Sequence, residues 1–211
     1  MRRELHVRFC EGGGVRFPSA TRLILGFQYQ AEADRFLENF RERLRKFGLE
    51  LHPDKTRRIE FGRFAEQNRK RRGESKPETF DFLGFKHISG KNRLGRFTVR
   101  RKTIRKRMGA KLRELKQQLR ERMHDPLRQT GQWLKSIVQG HFTYYAVPGN
   151  IDSLSLFRDR LTGYWWHTLC RRSQKRRLSW TRMLALADRW LPRPRVLHPY
   201  PADRFAANHP R

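Results

Sequence analysis

Hydrophobic positions recur along this chain at two different periods, and the change from one to the other falls near residue 100. Leu23, Ile24, Leu25 and Phe27 form a short apolar run that predicts a strand. Ala33, Phe36, Leu37, Phe40, Leu44 and Phe47 then return every three or four places and stop at Gly48, the pattern of an amphipathic helix with a glycine terminator. Leu49 to Leu51 alternates briefly, His52-Pro53-Asp54-Lys55-Thr56 turns the chain, and Arg58 to Phe61 reads as a further strand. Residues 62 to 78, with the run Arg69-Lys70-Arg71-Arg72, carry no apolar period and read as a charged connection, either solvated or set against phosphate. Thr79 to Phe85 returns to alternation, and a turn over Gly90 to Gly95 leads into Arg96 to Arg100, so the pair predicts a hairpin. Strand, helix, strand, strand is the order of an α+β unit whose sheet is covered on one face.

After about residue 103 the period is helical. Ile104, Met108, Leu112, Leu115, Leu119 and Met123 make one stripe, and Pro126 breaks it. Trp133, Ile137, Val138, Phe142 and Tyr145 predict a second helix ending near Pro148-Gly149-Asn150. Ile151, Leu154, Phe157, Leu161 and Trp165 predict a third, and a shorter fourth runs from the N-cap candidate Ser179 to Leu191. The proline-rich stretch Pro192 to Pro201 excludes a further regular helix. Residues 1–22 show no usable period, because Gly12-Gly13-Gly14 and Pro18 interrupt it, and read as a divergent or disordered leader. The triple glycine lacks the Lys and Ser/Thr of a phosphate-binding loop. The expected organisation is therefore a leader at 1–22, an α+β segment at 23–100 and a mainly helical domain at 101–211.

Charge narrows the choice of partner. Lys and Arg number 49 against 20 Asp and Glu, a formal net charge of +29 over 211 residues. Self-repulsion on that scale weakens a compact state and favours a polyanion. No run approaches the length of a membrane span and no N-terminal stretch has the apolar core of a signal peptide, so nucleic acid is favoured over membrane and a soluble cytoplasmic protein is expected. Cys10 and Cys170 are far apart and outside any paired ligand spacing, which speaks against a disulfide framework and a zinc ribbon. The histidines, among them His87, His141, His167 and His198, are dispersed without metal-site spacing and read as structural; no metal site and no catalytic residue is assigned.

The cations are unevenly placed. Helical geometry puts Lys102, Lys106, Arg113, Lys116 and Arg120 opposite the Ile104 to Met123 stripe, where Glu114 and Glu121 are the only acids. Arg171, Arg172, Lys175, Arg176 and Arg177 form a second focus beside Trp165-Trp166-His167, at a junction between helices. Arginine pairs bidentately with phosphate and aromatic rings stack on bases. Trp133, Phe142, Tyr145 and Trp165 fall at core positions, whereas Tyr144 and Trp166 lie beside them and are the stacking candidates.

From about Leu25 to His209 the chain resembles the C-terminal part of bacterial group II intron reverse transcriptase/maturase proteins. The resemblance is carried by Leu49-Glu50-Leu51-His52-Pro53-Asp54-Lys55-Thr56, by Phe82-Leu83-Gly84-Phe85, by Gly140-His141-Phe142-Thr143-Tyr144-Tyr145-Ala146-Val147-Pro148-Gly149-Asn150, by Trp165 to Arg177, and by the stretch from Trp190-Leu191-Pro192 to Tyr200-Pro201. It implies that residues 23–100 are the end of the polymerase palm, and that residues 101–211 are the thumb and maturase-specific domain, which grips intron RNA while that RNA performs its own transesterifications. It also implies group II intron RNA as partner, with an intact reverse transcriptase/maturase as a further one. No cofactor is implied for this chain, Mg2+ entering only through bound RNA or an intact polymerase relative.

The departure is at the front. Where the family carries a Tyr-Ala-Asp-Asp tetrad just before the strand at Leu23, this sequence has Phe17-Pro18-Ser19-Ala20-Thr21, and no Asp precedes Asp34. Such polymerases hold two metal ions with carboxylates, which these residues cannot supply. Fingers, the rest of the palm and a nuclease module also have no counterpart, so the expectation is a truncated or frameshifted remnant. The functional expectation is non-catalytic binding of structured group II intron RNA that assists folding and splicing. The alternatives are a polymerase fragment inactive alone and a non-specific basic nucleic-acid-binding protein.

Overall fold

A computed structural model of the chain describes residues 6–11, 22–53, 56–92, 94–172 and 178–200. The protein is a mixed α+β chain that divides into two compact units, Met1–Arg100 and Arg101–Arg211.

Among the described residues the first unit holds two three-stranded sheets, the last strand of which runs on to Thr103. In one, β1 (His6–Glu11) lies between β2 (Arg22–Phe27) and β3 (Arg57–Glu60) and pairs antiparallel with both. β1 falls inside the segment expected to be a leader. Val7 and Phe9 alternate with polar neighbours over six residues, a strand signal that the glycines and proline after it obscure. Helix α1 (Gln30–Arg45) follows β2 and packs on it, with Phe27 and Phe36 ring centroids 5.2 Å apart. It ends as its sequence predicts: Gly48 takes a φ of +66°, and the Leu49 N–H reaches back to the Leu44 carbonyl. Leu49 to Leu51 is not a strand, which corrects the expectation there.

Two further differences follow from local geometry. Residues expected as an unstructured connection include a short helix, α2 (Ala65–Arg71), closed at Gly73 (φ +71°) by a bond from the Glu74 N–H to the Arg69 carbonyl. Only Ala65 of this helix is buried, so no apolar period could announce it. The alternating run from Thr79 to Phe85 is two strands, β4 (Thr79–Phe82) and β5 (Phe85–Lys91), which pair antiparallel through a turn at Leu83 (φ +46°) and Gly84 (φ +82°). Both turn residues are left-handed, as tight hairpins need; a leucine there costs about 1–2 kcal/mol. The second sheet, in the order β4-β5-β6, is completed by β6 (Phe97–Thr103). Ile59, Phe61 and Phe80 form the buried centre of the unit, with Ile24, Phe82 and Val99 against them.

The second unit is helical: α3 (Arg105–Glu121), α4 (Leu127–Tyr145), α5 (Ile151–Cys170) and α6 (Trp180–Trp190). Its core takes Met108, Leu112, Leu115 and Leu119 from α3, Leu134, Val138 and Phe142 from α4, Leu154, Phe157, Leu161 and Trp165 from α5, and Met183 and Ala187 from α6. Burying such side chains stabilises by roughly 1.5–3 kcal/mol each. Ser179 accepts a hydrogen bond from the Arg182 N–H, capping α6 as its position predicts. Residues 192–200 contain no helix; Leu197 donates its N–H to the Ala146 carbonyl and lays that segment along the end of α4. The fully buried Asn150 joins three elements: its Oδ1 accepts from the Thr103 N–H (2.9 Å), and its Nδ2 donates to Thr103 Oγ1 (2.8 Å) and to the Tyr145 carbonyl (2.9 Å).

Candidate nucleic-acid interface

Helix α3 turns its leucines into the core and leaves Lys106, Arg113, Lys116 and Arg120 exposed on its other side. Among the described residues none of these four meets a carboxylate within ion-pair distance. On α5 and at the residue that ends it, Tyr164, His167, Thr168 and Arg171 recur at helical spacing along the side that meets the C-terminal half of α3. The two helices enclose a groove of about 570 Å³, lined by Lys116, Arg120, Met123, Tyr164, His167, Thr168 and Arg171. Among the described residues no carboxylate lines it. The Lys116 ammonium lies 5.4 Å from the centre of the Tyr164 ring, an arrangement that holds the cation over an aromatic face.

Four carboxylates of this unit are paired with cations away from the groove, while Glu121 on α3 accepts from Gln117 Nε2. Asp188 accepts from Arg158 (2.7 Å) and Arg193 (2.9 Å), and those bonds hold its carboxyl below the usual range. Asp152 is likewise lowered, by its hydrogen bond from Lys102 at 2.7 Å. Lys111 pairs with Glu114 and Arg122 with Asp125. Among the described residues Lys116, Arg120 and Arg171 therefore have no carboxylate partner at the groove, and like charges gathered there repel unless an anion joins them.

The structure brings together Lys116, Arg120 and Arg171, and places Lys106 and Arg113 on the same exposed side of α3. Of the other described candidates it brings none to this place. Lys102 is not on the helix: it belongs to β6 and is paired with Asp152. Arg172 is half-buried and donates through Nη2 to the Asp125 carbonyl, which ties the end of α5 to the turn before α4. Trp166 is half-buried, packs against the core, donates its indole N–H to the Leu178 carbonyl (2.8 Å) and meets Trp180 edge-on at 5.5 Å. Leu178 and Trp180, at the start of α6, meet it there, so its position beside the core stripe on α5 misleads. Tyr144 is 49% exposed, at the end of α4. Lys175, Arg176 and Arg177 lie outside the described residues.

Tyr164 carries no expectation from sequence, and Met123 and His167 are read there as a core residue and a structural histidine, not as part of a cationic groove. The signal was present in the i, i+3, i+4, i+7 spacing of Tyr164, His167, Thr168 and Arg171, which defines one face of α5. The charged run before β4 is spent differently: Arg69 pairs with Glu74 and Glu78, and Arg72 with Glu60 and Glu74.

Among the described residues no three His, Cys, Asp or Glu side chains converge as metal ligands, and no helix is long and apolar enough to cross a membrane. Comparisons with protein-family models, with curated proteins and with solved structures find no match to this chain.

Proposed function

We propose that this chain binds structured group II intron RNA without carrying out chemistry on it, and so assists the intron in reaching its splicing-competent fold. The observation that carries the reading is the α3–α5 groove, where Lys116, Arg120 and Arg171 face an aromatic ring and a histidine with no carboxylate among the lining residues. An RNA backbone passing there would neutralise cations that otherwise repel one another, and its unpaired bases would find a ring to stack on. RNA helices offer shape and phosphate rather than readable base edges in their deep groove, which suits a track of cations better than a set of base-specific hydrogen bonds. The sequence resemblance narrows structured RNA to intron RNA, with residues 23–100 as the end of a palm and the helical unit as thumb and maturase-specific domain. An intact reverse transcriptase/maturase is the further partner this reading admits.

The test is competition. Folded group II intron RNA and duplex DNA of equal length are titrated against the chain at fixed salt. Preference for the folded RNA is expected; equal affinity for both would overturn the intron reading and leave a non-specific basic nucleic-acid binder.

A further inference from the structure

On the opposite flank of α3 a second cleft, about 430 Å³, opens towards α4. That volume lies within the roughly 300–1,000 Å³ of small-ligand sites. Its character differs from that of the groove. Its wall carries Ile137, His141 and Tyr145, while Arg107 and Lys111 of α3 line it from the other helix. The rings form a ladder from core to surface. Phe157, fully buried, stacks on His141 at 3.8 Å with planes 7° apart; His141 meets Tyr145 at 4.6 Å; Tyr145 meets the exposed Tyr144 at 4.7 Å. His141 Nε2 is sealed from solvent and has no hydrogen-bond partner among the described residues.

We infer that this cleft receives one unstacked nucleobase of the bound RNA, seated against the His141 and Tyr145 rings, with Arg107 and Lys111 reaching the phosphates on either side. The inference rests on the RNA-binding reading above and names the feature of the RNA that is recognised. Apolar and aromatic walls with cations at the margin fit a planar heterocycle on a polyanionic chain, and fit neither a free phosphate nor an apolar helix of a protein partner. Arg107 has no carboxylate partner among the described residues, and the pair of Lys111 with Glu114 is an exposed one that a phosphate can displace. Burial and the nearby Lys111 hold the His141 imidazole down at about 4, so at neutral pH the ring is uncharged and stacks as an ordinary aromatic.

Gly140 lines the same cleft, and a Cβ added there meets nothing within 4 Å. Gly140→Trp should therefore fill the space without changing charge, with Gly140→Ala as the unfilled control. The full chain is titrated against a hairpin RNA with an unpaired loop and against a blunt RNA duplex with the same number of phosphates. The expected result is a loss of about ten-fold for Gly140→Trp on the hairpin, the size of one base-stacking contact, no change on the duplex, and wild-type behaviour of Gly140→Ala on both. Wild-type affinity of Gly140→Trp for the hairpin, or an equal loss on both RNAs, overturns the inference. Should Gly140→Trp lack the parent's thermal transition, Tyr145→Leu is read by the same criteria. A parent chain that binds neither RNA would instead defeat the RNA-binding reading itself.

Discussion

Neutralising the α3–α5 groove should change the salt dependence of RNA binding by a calculable amount. Lys106, Arg113, Lys116, Arg120 and Arg171 are exposed and have no carboxylate partner among the described residues. Each cation that neutralises a phosphate contributes about 0.7 to 0.9 to the slope of log affinity against log salt. If all five engage, they contribute about −3.5 to −4.5 to the slope, which is roughly 100- to 500-fold of affinity between 50 and 200 mM salt. The triple variant Lys116→Gln, Arg120→Gln, Arg171→Gln removes three of these cations, so its slope should be shallower than the parent's by about 2.1 to 2.7 and its loss over the same range smaller by roughly 20- to 40-fold. Glutamine keeps the stems and hydrogen-bonding capacity, so charge is what changes. Fluorescence anisotropy of a labelled structured RNA across a salt series gives both slopes. A triple variant with the parent slope would refute the assignment of phosphate contacts to this groove, whatever its affinity at one salt concentration.

Three further outcomes concern the frame that positions the groove. A Cβ at Gly131 would lie 2.5 Å from the Trp190 ring, so Gly131→Ala should destabilise the helical unit by about 1–3 kcal/mol, read as a lower Tm by circular dichroism; an unchanged Tm would mean that α4 and α6 are not so closely packed. Asn150→Ala should cost about 2–3 kcal/mol, because it strands the Thr103 N–H, Thr103 Oγ1 and the Tyr145 carbonyl; a denaturant midpoint equal to the parent's would contradict the burial of that network. For His141 the folded value of about 4 lies below the ordinary 6.5, so the unfolded chain binds the extra proton between these values and stability is complete above about pH 6.5 and lost as pH falls towards 4. This contribution is at most about 2 kcal/mol between pH 7 and pH 5, and His141→Phe should flatten the corresponding part of the Tm against pH curve; a curve as steep as the parent's would remove His141 as its origin.

The helical unit was the most legible part of the sequence, because its packing is written in one period. Met108, Leu112, Leu115 and Leu119 all point to one core, and Ser179 and Pro126 mark boundaries by local chemistry. Legibility failed where structure depends on partners distant in sequence or on very short elements. β1 is held by β2 and β3, α2 buries only Ala65, and the turn at Leu83 uses a residue that gives no turn signal. The site divides in the same way. Exposure of Lys106, Arg113, Lys116 and Arg120 follows from the wheel of α3 alone. Their meeting with Tyr164, His167 and Arg171 depends on how α5 packs against α3, and the covering of Trp166 depends on Leu178 and Trp180 at the start of α6, neither of which any single helix encodes.

Crosslinking of bound intron RNA at moderate salt, followed by peptide mapping, tests most directly whether the α3–α5 groove is the RNA track. The expected crosslinks concentrate on residues 106–123 and 164–172. Crosslinks spread evenly over the chain, or gathered on α1 and α6, would contradict it.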